Sequence, residues 1–303
     1  MQRKLVQQGS STLMISLPSK WLKEHNLIKG SSIELNESQN EINIFASASQ
    51  AKKKLKAKAT LKESSSIGKR ILISLYTQGY DQVVLEFHQP MIKEIEKTTS
   101  QLIGFEIISQ EKNSCIIQDV TGVEDSDIDV LIRRLFLLTK NMGSDCLTAI
   151  KDDDKEILEQ MEYRDNDINK FSYYCQRLLA KKGYVEKEKI IPLYAIADSL
   201  EEIGDEYKKL CRKIMKNELK LNSKEIELLS RINNFLDYCY KFIYTMKEDE
   251  ANKISEKYSE FKKLFEKKNS INKELLNNFE IISKRCVKIG RAFLPFLSNI
   301  ERN

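Results

Sequence analysis

Helical periodicity over the last three fifths of the chain most constrains what it can fold into. From about residue 126 to residue 300, apolar side chains recur at three- and four-residue intervals, and only two of the four prolines, Pro192 and Pro295, fall there. Polar breaks in this pattern predict six helices, near residues 126–150, 152–182, 188–217, 222–247, 249–268 and 271–299. Because short connections between long helices favour antiparallel neighbours, we predict a six-helix antiparallel bundle.

The segment from Leu193 to Met215 has the clearest apolar stripe, and it also carries polar residues of interest. Glu201 and Asp205 are four residues apart and therefore share one face of the predicted helix. Gly204 lies between them, and a glycine inside a helix costs about 1 kcal/mol relative to alanine. This glycine therefore predicts the close approach of a neighbouring helix.

The order Leu-Glu-Glu-Ile-Gly-Asp at residues 200–205 resembles the signature helix of PhoU domains, the helical bundles of phosphate-uptake regulators. The acidic-then-aromatic stretch at residues 162–171 resembles the helix that precedes it in that family. The resemblance implies two three-helix repeats and a metal cluster on Glu201 and Asp205, with Asp165, and after it Asp167, as further ligands. Iron, magnesium or manganese would suit such oxygen ligands. The alternative is an acidic helix edge paired with Lys208 or the lysine after it.

The sixth predicted helix departs from the family pattern. If the glycine at 290 is aligned with Gly204, Val287 takes the place of Glu201 and Arg291 takes that of Asp205. We therefore expect no second metal cluster.

Residues 1–46 have the pattern of a small β-rich unit. Short extended runs at residues 5–7, 13–17, 33–35 and 42–45 surround one helix that starts after Pro18 and continues to about Asn26. Fewer than fifty residues bury little surface alone, so such a unit usually needs a partner. Residues 1–60 contain ten Lys or Arg and four Glu, a net charge of +6, whereas the whole chain carries +5. This asymmetry favours a polyanion as the partner of the N-terminal region.

The same region is similar to the AbrB/MazE/SpoVT family of DNA-binding domains. The resemblance lies in three segments, Arg-Lys-Leu at residues 3–5, Ser-Leu-Pro-Ser-Lys-Trp-Leu at 16–22 and Leu-Ile-Lys-Gly at 27–30. It implies a swapped-hairpin homodimer that binds DNA, with Arg3 and Lys4 reaching the duplex and Lys20 and Lys23 as supporting charge. The alternative is that these four residues are ordinary solvated charges.

Between these regions, residues 47–63 form either a basic linker or a strand with lysines facing water, and residues 64–122 predict a small α/β unit of order αβαββ. The α/β unit contains no phosphate-binding glycine loop. Both histidines of the chain are isolated, and no catalytic arrangement can be assembled by spacing, so we expect no enzyme. The six cysteines are widely spaced and no apolar run could span a bilayer, which favours buried free thiols in a cytoplasmic protein without membrane insertion.

Together these features predict a multidomain α+β protein, with an AbrB-like DNA-binding and dimerisation domain at residues 1–46 and a PhoU-like bundle at residues 126–300. Our main functional hypothesis is a DNA-binding transcriptional regulator of phosphate uptake, in which the bundle is the sensor. The alternative is a PhoU-like protein-interaction adaptor that docks on a phosphate-transport or signalling protein without binding DNA.

Overall fold

A computed structural model of the protein describes residues 2–38, 41–46, 54–61, 66–88, 91–121, 127–266, 271–297 and 300. The internal contacts divide the chain into two compact units, Met1–Lys54 and Leu55–Asn303. The multidomain α+β class with a helical C-terminal region is confirmed. The finer domain boundaries from the sequence, together with the swapped hairpin and the antiparallel six-helix arrangement, stay predictions.

The first unit consists of two hairpins and a single short helix within its described residues. Strands β1 (Val6–Gln8) and β2 (Thr12–Met14) pair antiparallel, as do β3 (Glu34–Ser38) and β4 (Glu41–Phe45). Helix α1 (Ser19–Glu24) begins directly after Pro18, whose fixed backbone suits a helix start. No described residue of this unit is buried.

The second unit begins with a four-stranded sheet and two helices. The chain order is β5 (Lys56–Leu61), α2 (Ser66–Thr77), β6 (Gln82–Phe87), α3 (Ile92–Thr99), β7 (Phe105–Gln110) and β8 (Ser114–Asp119). The strand order across the sheet is β5-β6-β8-β7, with β5 parallel to β6 and the other pairs antiparallel.

Strand β5 is absent from the αβαββ order predicted for this region. Of the basic segment predicted at residues 47–63, Lys56–Leu61 forms a strand, whereas residues 47–53 and 62–63 lie outside the described residues. In this strand Lys56 and Lys58 are exposed, while Ala57 and Ala59 are half-buried. The strand lies at the edge of the sheet, where outward lysines are tolerated and protect against unwanted pairing. This composition hides the strand from a search for apolar alternation.

Six long helices follow: α4 (Ile128–Asp152), α5 (Lys155–Lys182), α6 (Ile190–Met215), α7 (Ser223–Thr245), α8 (Glu248–Glu266) and α9 (Lys273–Ala292). Side chains of Asp127, Asp154, Asn222 and Asn272 accept hydrogen bonds from first-turn N–H groups of α4, α5, α7 and α9. Helix α6 packs against α4, α5 and α9, and its apolar stripe is buried. None of the helices in the described ranges is long and apolar enough to cross a membrane.

The same packing device occurs in both halves of this helical region. A Cβ built at Gly204 would lie 3.1 Å from Cδ1 of Ile168, and a Cβ built at Gly290 would lie 3.1 Å from Cδ1 of Ile254. Each isoleucine precedes its glycine by the same number of residues (204 − 168 and 290 − 254). This equal spacing is what a duplicated three-helix unit would produce.

Candidate functional site

An acidic cluster lies where α5 packs against α6. Asp165 comes from α5, whereas Glu201 and Asp205 come from α6, so the structure brings together the three residues that the sequence pointed to. The Lys208 ammonium lies between two of them, 2.6 Å from Asp165 Oδ2 and 2.5 Å from Asp205 Oδ1. Asp167, the further candidate, is exposed.

The electrostatics of the cluster follow from burial and from Lys208. Burial raises the pKa of Asp165 above its ordinary value, although the hydrogen bond from Lys208 opposes the shift. Burial also acts to raise the pKa of Asp205, but the hydrogen bond and charge of Lys208 prevail and lower it. The pKa of Glu201 is raised to about 7, because burial and the charge of Asp205 outweigh the hydrogen bond that the Tyr173 hydroxyl donates at 3.0 Å.

These residues do not fit a metal cluster in their present arrangement. Within the described part of the chain, no group of three or more His, Cys, Asp or Glu side chains could hold a metal ion. The cation in contact with both Asp165 and Asp205 is an ammonium group of the chain itself. One oxygen of Asp165, Oδ1, is buried and has no hydrogen-bond partner.

A second polar cluster joins the sheet to α5, and sequence reasoning missed it. Arg177 is only 2% exposed, and its Nη1 donates to the carbonyl oxygens of Tyr76 at 2.9 Å and Tyr80 at 2.6 Å. Its Nη2 donates to Asp119 Oδ2 at 2.8 Å. The guanidinium also lies 4.8 Å from the ring centre of Tyr76 and 5.0 Å from that of Phe105, within the range of a cation–π contact.

Asp81 extends this cluster to the start of the second unit. Its Oδ1 pairs with Lys181, one turn after Arg177 on α5. Its Oδ2 accepts a hydrogen bond from the backbone N–H of Leu55 at 2.9 Å, and its own N–H donates to the Leu55 carbonyl at 2.8 Å. Leu55, the first residue of the second unit, is therefore hydrogen-bonded to the side chain of Asp81, which Lys181 of α5 holds in place. We name Arg177, Lys181, Asp81 and Asp119 the α5 junction.

The predicted DNA-binding residues are all on the surface of the first unit. Arg3, Lys4, Lys20 and Lys23 are exposed, and Lys20 lies 3.9 Å from Glu24 in a solvent-facing pair. The described part of this unit also exposes ten large apolar side chains: Leu5, Val6, Leu13, Met14, Ile15, Ile28, Ile33, Leu35, Ile42 and Phe45.

Comparisons with known proteins match the helical region. The family model described as the PhoU domain matches residues 132–214, which include the acidic cluster and Arg177. This match confirms the PhoU resemblance for that part of the chain, whereas the AbrB resemblance stays a prediction. No curated protein sequence matches the chain.

Two solved structures are similar to part of the chain. The phosphate transport system regulatory protein PhoU from Streptococcus pneumoniae is 17% identical, with a TM-score of 0.45 over 57% of this chain and 94% of that one. PhoU from Pseudomonas aeruginosa is 14% identical, with a TM-score of 0.37 over 56% of this chain and 92% of that one.

Proposed function

We propose that this protein is a PhoU-like adaptor in the control of phosphate transport, whose helical region docks on a phosphate-transport or signalling protein. The observation that carries the proposal is the PhoU family match over residues 132–214. The Leu-Glu-Glu-Ile-Gly-Asp segment on α6 and the acidic stretch on α5 resemble the PhoU family, and this resemblance implies a role in the regulation of phosphate uptake.

The α5 junction supports a role in passing on a signal. Arg177 and Lys181 connect α5 to Asp81, which directly precedes β6, and to Asp119 at the end of β8. Asp81 is in turn hydrogen-bonded to Leu55. A partner that displaced α5 would break or strain buried charge pairs, which are costly to leave uncompensated. Docking on the helices is therefore expected to alter the hydrogen bonds between Asp81 and Leu55, at the N-terminal end of the second unit.

A second candidate function is DNA binding by the first unit, which would make the protein a transcriptional regulator of phosphate uptake. Two observations favour it: the exposed basic residues, and a unit whose described residues include ten exposed large apolar side chains and none that is buried. Pairing of two copies as a swapped-hairpin dimer would cover apolar surface that a single copy leaves in water. Such a dimer would present Arg3, Lys4, Lys20 and Lys23 twice.

The adaptor role is tested by mixing the purified full-length chain with purified cytoplasmic subunits of the phosphate transporter, and separately with the phosphate-responsive sensor kinase, from the same organism. We expect co-elution with one of them in size-exclusion chromatography. A micromolar dissociation constant corresponds to a binding free energy of roughly −8 kcal/mol. Absence of any complex with either protein at concentrations up to about 100-fold above such a constant would refute the adaptor role.

The DNA role is tested by gel shift on the upstream regions of phosphate-uptake genes at several salt concentrations. Alanine at Arg3, Lys4, Lys20 and Lys23 should weaken binding and flatten the salt dependence, by about 0.9 in slope for each DNA phosphate that a side chain no longer neutralises. A matched control replaces four exposed lysines of the helical region, which are Lys220, Lys224, Lys253 and Lys262. An equal weakening of binding in both variants would show only a general charge effect.

A further inference from the structure

Lys208 bridges two helices at the acidic cluster. It lies on α6, three residues after Asp205, and reaches across to Asp165 on α5. The side chain of Lys208 is 16% exposed and that of Asp165 is 3% exposed, so the contact between them is largely shielded from water. A single ammonium group is therefore shared by carboxylates from two helices.

Asp165 needs a nearby cation because a buried carboxylate is costly without one. The side-chain amide of Asn169 also donates a hydrogen bond to its Oδ2 at 3.1 Å, and its carboxyl group interacts with that of Asp205. Its Oδ1 and the Asn169 Oδ1 are both buried without a partner. Removing Lys208 alone would thus take away the ammonium group that directly contacts both carboxylates, and would leave Lys209 and Arg212 as the neighbouring positive charges.

Those oxygen atoms are the kind of ligand that hard divalent cations prefer. Asp165, Asp205 and the Asn169 amide oxygen would supply three, and water could complete the coordination sphere. A divalent cation and the Lys208 ammonium cannot occupy this place together, because they would compete for the same carboxylates and repel each other at short range.

We propose that Lys208 is the resident cation of this cluster, lying between Asp165 and Asp205, and that it keeps a latent divalent-cation site closed. The protein with Lys208 present binds no divalent cation through Asp165 and Asp205. Loss of Lys208 opens the site. This inference concerns the cluster alone and holds whichever partner the protein has.

The test uses the full-length chain, freed of metal with a chelator that is then removed, and Mn²⁺ as the probe. Free Mn²⁺ is followed by electron paramagnetic resonance during titration of the unaltered chain and of Lys208→Ser, each with and without Asp205→Asn. We expect one Mn²⁺ per chain for Lys208→Ser, at least tenfold tighter than any binding by the unaltered chain. Addition of Asp205→Asn should abolish this binding.

Lys209→Ser is the matched control, because Lys209 is the next residue on α6 and also contacts a buried carboxylate, Glu206, at 2.6 Å. It should bind no more Mn²⁺ than the unaltered chain. A gain equal to that of Lys208→Ser would overturn the proposal, since the removal of any lysine would then suffice.

Two further outcomes would overturn it. One is stoichiometric Mn²⁺ binding by the unaltered chain that Asp205→Asn removes. The other is a Lys208→Ser chain that has native circular dichroism but gains no binding. If Lys208→Ser does not fold in the absence of metal, Mn²⁺ should restore its helical signal and raise its melting temperature, because a ligand that binds only the folded state stabilises it. Failure of Mn²⁺ to do so, both there and in Lys208→Gln, would count against the proposal.

Discussion

The α5 junction makes a strong prediction about stability. Replacement of Arg177 by methionine keeps a long unbranched side chain but removes the guanidinium. Asp119 then loses its 2.8 Å partner and retains Lys181 at 4.0 Å, while the carbonyl groups of Tyr76 and Tyr80 lose a donor. We expect Arg177→Met to lower the free energy of unfolding markedly.

The magnitude follows from burial. Removing one partner of a buried ion pair typically costs about 3–5 kcal/mol, because the other charge stays in a poorly solvated place. Lys181 offsets part of this loss, so we expect the lower end of that range, about 3 kcal/mol. A loss of this size corresponds to a decrease of roughly 150-fold in the folding equilibrium constant, at about 1.4 kcal/mol for each factor of ten.

The assay is urea unfolding followed by circular dichroism at 222 nm, with Arg212→Met as the matched control. Arg212 also pairs with a carboxylate, Glu162, but both side chains are about half exposed, at 49% and 53%. An exposed pair contributes less than about 1 kcal/mol, so the control should unfold almost as the unaltered chain does. Equal effects of the two substitutions would refute the reasoning that burial makes the α5 junction costly to break.

Three further results are expected. Glu201→Gln should remove a pH dependence of stability. The pKa of Glu201 is about 7 in the folded chain against an ordinary 4.5, so the folded chain holds this proton more tightly than the unfolded chain does. The free energy of unfolding should therefore fall by up to about 3 kcal/mol as pH rises from about 4.5 to 7. Urea unfolding across that range should show this fall in the unaltered chain, and an equal slope in both proteins would contradict it. Gly143→Ala should cost about 1–3 kcal/mol in the same assay, because its Cβ would lie 2.7 Å from the hydroxyl oxygen of buried Tyr207, and no loss would show that the ring can move aside. Native protein at pH 8 should resist thiol reagents until it is unfolded, since all six cysteines are buried. Burial also raises the pKa of Cys115 to about 11 and that of Cys175 to about 12. Rapid labelling of either of these two cysteines without denaturant would be inconsistent with their burial.

Local patterns in the sequence predicted the helices and the packing glycine, because those features depend on the spacing of residues only a few positions apart. The apolar stripe of α6 and the close contact at Gly204 both follow from such spacing. Pairing of Lys208 with Asp205 was one of the two interpretations that the sequence left open. The structure adds Asp165 to that pair from another helix.

The α5 junction could not be found in the same way. A cation at position 177 falls on the buried stripe of α5 beside Leu178, which signals that it must have partners. The nearest of those partners in sequence, Asp119, is 58 residues away (177 − 119), and nothing local indicates which acid it is. Long-range charge pairing depends on how the sheet and the helices are placed together, and helical or strand periodicity carries no information about that placement.

The hydrogen bond between the Leu55 N–H and Asp81 gives the helical region a reporter. Since Asp81 is paired with Lys181, the protection of this one amide against deuterium exchange depends on whether α5 keeps its place. Any molecule that shifts α5 would change the rate at which the Leu55 amide takes up deuterium. Mass spectrometry of the peptide that contains Leu55 would therefore detect docking on the helices, and the docked molecule would need no label.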